Sequence, residues 1–292
     1  MNPSTALEDG LRRFLETLTA KNRSPATLRA YDIDLSQFFS WLHDNNYLAA
    51  TSHRVEKADV LDYLTALGRR GLTGVSRARK IAAIREYFRF LEESGEIAKS
   101  PASGVETPKK ERPGRTSLRP EEYTRMLSLA GAHPRDYAIL QVFLQTGVRV
   151  SELCDLHIDD VDLGGRALRV RDGKGMAARE IELEKKGVQA IKTWLAIRPQ
   201  VFDDRLFLNK DGEPISERGV RKLVVKYRVA AGITKRASCH SLRHTFATYK
   251  AERGVSPFQL KEWLGHANLN TTQIYVHMAR QNAKKVMEAT SL

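Results

Sequence analysis

From Ser24 onward, apolar residues recur at helical spacing: Leu28, Tyr31, Leu35, Phe38 and Leu42 form one stripe. Ser24 followed by Pro25 is a sound helix start, because the serine hydroxyl accepts from a free first-turn amide and proline needs none. Asp44, Asn45 and Asn46 end this helix, since short polar side chains compete for backbone hydrogen bonds. A second helix is predicted over 57–69. A third runs from about Ser76 to Glu93, with Ile81, Ile84, Tyr87, Phe88 and Leu91 facing inward. Residues 1–106 therefore read as helical throughout, with the first strong signal at Ser24.

The pattern breaks at 107–118, TPKKERPGRTSL, where Pro108, Pro113 and Gly114 discourage regular structure. This stretch reads as a basic interdomain linker, and two domains joined by it could close around a duplex as a clamp. Residues 119–292 alternate between periods. Helices are predicted at 120–131, 135–146 and 151–158. Strands follow at 167–171 and 179–184, joined by the turn DGKGMAA. A helix at 186–198, a short strand at 205–209 and a helix at 215–230 come next. Helices at 241–252 and 257–264, the latter opened by Ser256 and Pro257, precede two more at 270–276 and 278–289. The fold class is thus mainly α with a small antiparallel β-sheet: a helical N-terminal domain over 1–106 and a mixed domain over 119–292.

Charge narrows the field. The 292 residues carry a formal net charge of +13, which favours a polyanionic partner and salt-sensitive association. Arg29, Arg77, Arg79, Lys80 and Arg85 lie on the N-terminal helices, and Lys109, Lys110, Arg112 and Arg115 in the linker; all are candidates for phosphate contacts. Two cysteines, Cys154 and Cys239, are too few for a disulfide framework or a zinc site and suit a reducing cytoplasm. No apolar run approaches the ~18 residues of a membrane span, and the N-terminus has no secretory pattern. No Walker-type loop implies ATP, and no Asp/His cluster resembles a two-metal nuclease, so no cofactor and no metal are expected.

The chemistry concentrates in three stretches, TGVRVSELCDL, CHSLRHTFAT and LGHANLNTTQIY, and in one hairpin turn. Arg149 and Arg243 suit a clamp on the nonbridging oxygens of a phosphodiester, where guanidinium geometry is bidentate and charge is permanent. Glu152, one turn beyond Arg149, is placed to orient it, and amides of the helix start would favour the phosphate. His240 shares a helical face with Arg243 and can take or hold the proton of an attacking phenol. Lys174, in the turn DGKG, is a candidate general acid for a leaving 5′-oxygen. Tyr275 is the candidate nucleophile; a phenol with pKa near ~10 needs surrounding cations to react. His266, nine residues earlier, would donate to a nonbridging oxygen. His244 falls on another face and reads as core or support.

The order and wording of these stretches resemble the tyrosine recombinase (phage integrase) family. TGVRVSEL looks like its first arginine box, with Glu152 at the acidic position; Lys174 matches its hairpin lysine; His240 and Arg243 match its HxLRHT box; His266 falls in its LGH motif and Tyr275 in its tyrosine motif. SPATLRAY at 24–31 is similar to the opening of the family's SAM-like core-binding domain. The likeness spans nearly the whole chain and is nearest to compact Xer-type recombinases and to similarly compact transposon or phage integrases. It implies double-stranded DNA with paired core sites, a 3′-phosphotyrosyl intermediate and a homotetramer, or a heterotetramer with a related recombinase, exchanging strands through a Holliday junction, with accessory proteins as further possible partners. It also implies that half the protomers act at once and that 278–292, with Val286 and Met287, docks on a neighbouring protomer. Cys239 stands where many relatives have proline, and the short lead before Ser24 leaves no room for an arm-binding domain. Two other readings stay open: a type IB topoisomerase-like enzyme, and a catalytically inactive DNA-binding or regulatory protein. Chromosome dimer resolution, transposon resolution and phage integration share this chemistry and are not separated by sequence.

Overall fold

A computed structural model describes residues 3–45, 54–108, 116–171 and 178–265. The chain forms two compact units, Met1–Pro113 and Gly114–Leu292.

Among the described residues the N-terminal unit holds four α-helices: α1 (Pro3–Ala20), α2 (Pro25–Asp44), α3 (Lys57–Arg69) and α4 (Gly74–Glu93). The Ser24 hydroxyl accepts from the Thr27 amide at 3.2 Å, and Pro25 opens α2 as the sequence predicts. The stripes expected on α2 and α4 meet in one core, where Leu35, Phe38, Leu42, Ile81, Ile84, Tyr87, Phe88 and Leu91 are buried. The helix preceding Ser24 completes it. Leu7, Leu11, Phe14 and Leu18 of α1 are buried there, so the first helical element begins well before Ser24. Gly10 lets α1 approach α4: a Cβ there would lie 2.5 Å from the Tyr87 hydroxyl, which donates to the Leu7 carbonyl.

One expected phosphate contact is corrected here. Lys80 is buried, donating to Asp34 at 2.8 Å and Gln37 at 2.5 Å. Its ammonium faces the α2–α4 seam, because a buried cation needs a partnered acceptor more than it needs solvent.

The second unit begins with α5 (Pro120–Ala130), α6 (Pro134–Thr146) and α7 (Val150–Asp155). The helix expected over 151–158 stops at Asp155, because Leu156 is extended (φ −63, ψ 136) and a single 3-10 turn, Ile158–Asp160, follows. A three-stranded antiparallel sheet runs β1 (Val161–Asp162), β2 (Ala167–Val170), β3 (Arg179–Glu182), in that order. Leu168 pairs with Ile181 and Val170 with Arg179. β1 is too short to leave a period in the sequence. The turn DGKGMAA lies, up to Ala177, outside the described residues.

Beyond the sheet come α8 (Lys185–Leu195), α9 (Glu217–Ala230), α10 (Cys239–Glu252) and α11 (Pro257–Leu264). The strand expected at 205–209 is not one. Leu206, Phe207 and Leu208 are buried, but they form only isolated bridges, with Arg205 facing His157 and Leu208 facing Pro214. An apolar run there packs without a ladder. α6 is the hub, with Ala138, Ile139, Leu140, Val142 and Phe143 buried, and it packs against α8 and α10. It ends at Gly147 in the left-handed region (φ 62), where a Cβ would lie 2.5 Å from Phe246 Cδ1 of α10. That close crossing holds the end of α6, two residues before Arg149, against α10. The linker residues 109–115 and the helices expected at 270–276 and 278–289 lie outside the described residues.

Candidate active site

Arg149 occupies the N-cap of α7, two residues past the left-handed glycine that ends α6. Its main-chain amide donates to Glu152 Oε2 at 2.7 Å, and its Nη1 donates to Glu152 Oε1 at 2.8 Å. Glu152 thus pairs with this arginine one helical turn away. The Arg149 main-chain amide is thereby engaged by that same carboxylate.

Arg243 comes from α10 and is buried. Its Nη1 donates to the Gly147 carbonyl at 2.7 Å and its Nη2 to the Leu264 carbonyl at 2.5 Å. Arg149 Nη2 donates to the next carbonyl, that of Gly265, at 2.9 Å. Two arginines 94 positions apart in sequence thus converge on adjacent carbonyls at the end of α11. The last carbonyls of a helix carry partial negative charge and lack intrahelical donors, so cations gather there. Gly265 caps α11 in the left-handed region (φ 58), and His266 follows it directly in sequence.

His240 lies in the first turn of α10, exposed, one turn before Arg243. His244 is buried in the same helix. Lys174, His266 and Tyr275 lie outside the described residues.

A third arginine was missed by sequence reasoning. Arg179 opens β3 and is buried. Its Nη2 donates to Glu152 Oε2 at 2.8 Å, its Nη1 to Glu152 Oε1 at 3.2 Å, and its Nε to the Trp263 carbonyl at 2.7 Å. A signal existed: along REIE, Arg179 shares a face with Ile181, and a strand residue in register with the core points inward. Burial on its own would raise the Glu152 pKa, but the hydrogen bonds from Arg179 and Arg149 outweigh it and hold the carboxyl below its usual value. The carboxylate is charged, and among the described residues three guanidiniums surround it or its neighbouring turn.

Burial disfavours the thiolate form of both cysteines. Burial pushes Cys154 up to about 12 and Cys239 up to about 11. Cys239 is the first residue of α10, a helix position that proline also favours. Among the described residues no group of three or more His, Cys, Asp or Glu side chains could hold a metal ion. None of their helices is long and apolar enough to cross a membrane.

On the N-terminal unit, Arg29 is exposed and Arg79, partly exposed, reaches Asp34 at 2.5 Å. Arg77 is half-buried beside Gly68. Arg85 donates to Thr107 at 2.8 Å and to the Val105 carbonyl, tying the segment after α4 back onto that helix. Lys109, Lys110, Arg112 and Arg115 lie outside the described residues.

Comparison with known proteins gives the same division of the chain. A model described as Phage integrase family matches residues 116–282, and one described as Phage integrase, N-terminal SAM-like domain, matches residues 11–95. Tyrosine recombinase XerC of Pelobacter propionicus is 36% identical over 288 residues, covering 97% of this chain and 95% of that protein. The crystal structure of XerA recombinase has a TM-score of 0.55 at 26% identity and covers 98% of this chain and 99% of its own. A lambda integrase tetramer bound to a Holliday junction has a TM-score of 0.77 over 92% of this chain and 76% of its own; at 19% identity this likeness speaks for the fold alone.

Proposed function

The chain belongs to the phage integrase family and is a site-specific tyrosine recombinase, and we propose that it cleaves and rejoins DNA through a covalent link to Tyr275. The observation that carries this reading is the convergence of Arg149 and Arg243 on the Leu264 and Gly265 carbonyls, immediately before His266 and the TTQIY stretch. In this reading both guanidiniums hold the nonbridging oxygens of the scissile phosphate and stabilise the charge that grows on them. His266 adds a donor. The Tyr275 oxygen attacks phosphorus and its proton passes to His240. The bond to the 5′-oxygen breaks, and Lys174 supplies the proton that makes it a 5′-hydroxyl. The product is a 3′-phosphotyrosyl link that conserves the phosphodiester energy, so rejoining by an incoming 5′-hydroxyl needs neither metal nor ATP.

Arg29, Arg77, Arg79 and Arg85, with Lys109, Lys110, Arg112 and Arg115 of the linker, are assigned to sugar-phosphate contacts; Lys80 is not. The acting species is a tetramer of this chain on paired core sites, working in the cytoplasm through a Holliday junction.

The test uses a library of nicked duplexes, incubated with wild type and with Tyr275→Phe, sequencing whatever DNA stays attached after denaturation. Wild type is expected to trap a defined core site, while Tyr275→Phe binds the same DNA and traps none. Covalent product from the phenylalanine variant overturns the assignment. Lys174→Ala is expected to slow cleavage and to be rescued in part by a bridging sulfur at the leaving position.

A further inference from the structure

The three last carbonyls of α11 and its cap are each held by a different arginine. Trp263 accepts from Arg179 at 2.7 Å, Leu264 from Arg243 at 2.5 Å and Gly265 from Arg149 at 2.9 Å. Two of these arginines form the proposed phosphate clamp. Arg179 does something else. It is buried, its Nε is directed at the Trp263 carbonyl and both its Nη atoms at Glu152, so it has no open face for DNA.

Glu152 is the shared piece. Each of its oxygens accepts from both arginines: Oε1 from Arg149 Nη1 at 2.8 Å and Arg179 Nη1 at 3.2 Å, Oε2 from the Arg149 amide at 2.7 Å and Arg179 Nη2 at 2.8 Å. A carboxylate gripped only by Arg149 could rotate with it. The planar fork of Arg179 fixes the carboxylate plane from the opposite element, β3, and a fixed plane sets the direction of the Arg149 guanidinium. The same side chain reaches the cap: a Cβ on Gly265 would stand 2.9 Å from Arg179 Nη1 and 3.5 Å from Arg149 Nη1. The main chain that leads into His266 therefore runs directly against both arginines.

We infer that Arg179 is a positioning residue for strand cleavage: by clasping Glu152 and the end of α11 it aims Arg149 at the scissile phosphate and sets where the chain leaves toward His266 and Tyr275. This rests on the recombinase chemistry proposed above. It adds a role for a residue that touches neither DNA nor the reacting atoms.

A double-mutant cycle tests it, with Arg179→Ala and Glu152→Gln made singly and together and Arg179→Lys as a charge-keeping variant. Three quantities are measured on a nicked core-site duplex: the rate of covalent complex formation at saturating protein, the DNA dissociation constant, and the thermal midpoint without DNA. Arg179→Ala is expected to slow the covalent step about 10- to 100-fold, as small misplacements of catalytic groups do, with affinity changed less than about twofold. Arg179→Lys is expected to show a similar loss, because an ammonium cannot fork across a carboxylate, and it carries the cycle if the alanine variant does not fold. In the Glu152→Gln background either Arg179 substitution is expected to add little, since the group through which it acts is already altered. Losses that multiply independently in the two backgrounds overturn the inference. So does a rate loss that disappears when corrected for the folded fraction. If wild type itself forms no covalent product, the Tyr275 chemistry fails and this inference falls with it; if wild type reacts and the cycle is additive, only this inference falls.

Discussion

Two charged clusters, one in each unit, are built from similar parts and reach different ends. In the N-terminal unit Asp34, 1% exposed, takes Lys80 at 2.8 Å and Arg79 at 2.5 Å, with Gln37 closing on Lys80. In the C-terminal unit Glu152 takes Arg149 and Arg179, and Arg243 joins them on the end of α11. The first cluster sets a carboxylate and an amide oxygen against a buried ammonium and ties two helices together. The second satisfies its guanidiniums largely with main-chain carbonyls. A carbonyl saturates an N–H without cancelling its charge. Three arginines around one glutamate therefore keep a formal surplus of two positive charges among the described residues. Burying cations serves packing when the acceptors are acidic, and serves an incoming anion when they are neutral.

The comparison breaks most visibly at Asp34. Asp34→Ala leaves Lys80 buried without its carboxylate and is expected to cost about 3–5 kcal/mol of stability, read by urea unfolding, with cleavage per folded molecule unchanged. A loss below about 1 kcal/mol would show that the cluster does not depend on this pair. In the other cluster the cost moves to the reaction. Arg243→Ala is expected to slow covalent complex formation by about 10²–10³, the usual effect of removing a donor to a developing oxyanion. Near wild-type rates would remove Arg243 from the clamp.

Gly147→Ala probes the frame rather than the charge. With φ 62 and a Cβ position 2.5 Å from Phe246 Cδ1, it is expected to destabilise by about 1–3 kcal/mol, and a neutral melting curve would show that α6 and α10 can part without loss. The smallest effect concerns acid. Hydrogen bonds hold the Glu152 carboxyl below its usual pKa, so its stabilising contribution is complete above about 4.3 and is lost as pH falls through its lowered folded value. Unfolding free energy below that pH is expected to fall less steeply in Glu152→Gln; an unchanged slope would show that this carboxylate is not linked to folding.

These clusters also mark how far the sequence could be read. The stripes at 28–42 and 81–91, the Ser24 and Ser256 caps and the Arg149–Glu152 pair are local, and each is found in the structure. Helix α1 carries an equally regular stripe, Leu7, Leu11, Phe14 and Leu18, but no serine–proline start draws attention to it. Lys80 was misread because charge was weighed before register: it lies in line with Ile84, Tyr87 and Leu91, on the face that turns inward, just as Asp34 lies in line with Phe38. The run at 205–209 has strand composition but only isolated bridge partners, and pairing is a property of two segments. Arg179 was missed for a related reason. Its partners lie 27 and 84 positions away, and a basic residue after a glycine-rich turn reads as a solvated one until the fold brings them together.

The grip on the end of α11 has a consequence for how this segment can vary. Its acceptors are main-chain oxygens, present whatever side chains occupy positions 263 and 264. Exchanging those residues leaves all three contacts possible. Adding or deleting one residue between Pro257 and Gly265 does not, because each step turns the helix by about 100° and rotates every carbonyl away from its arginine. What the catalytic unit requires of this helix is a residue count more than a spelling, and single-residue insertions there should be tolerated far less than substitutions.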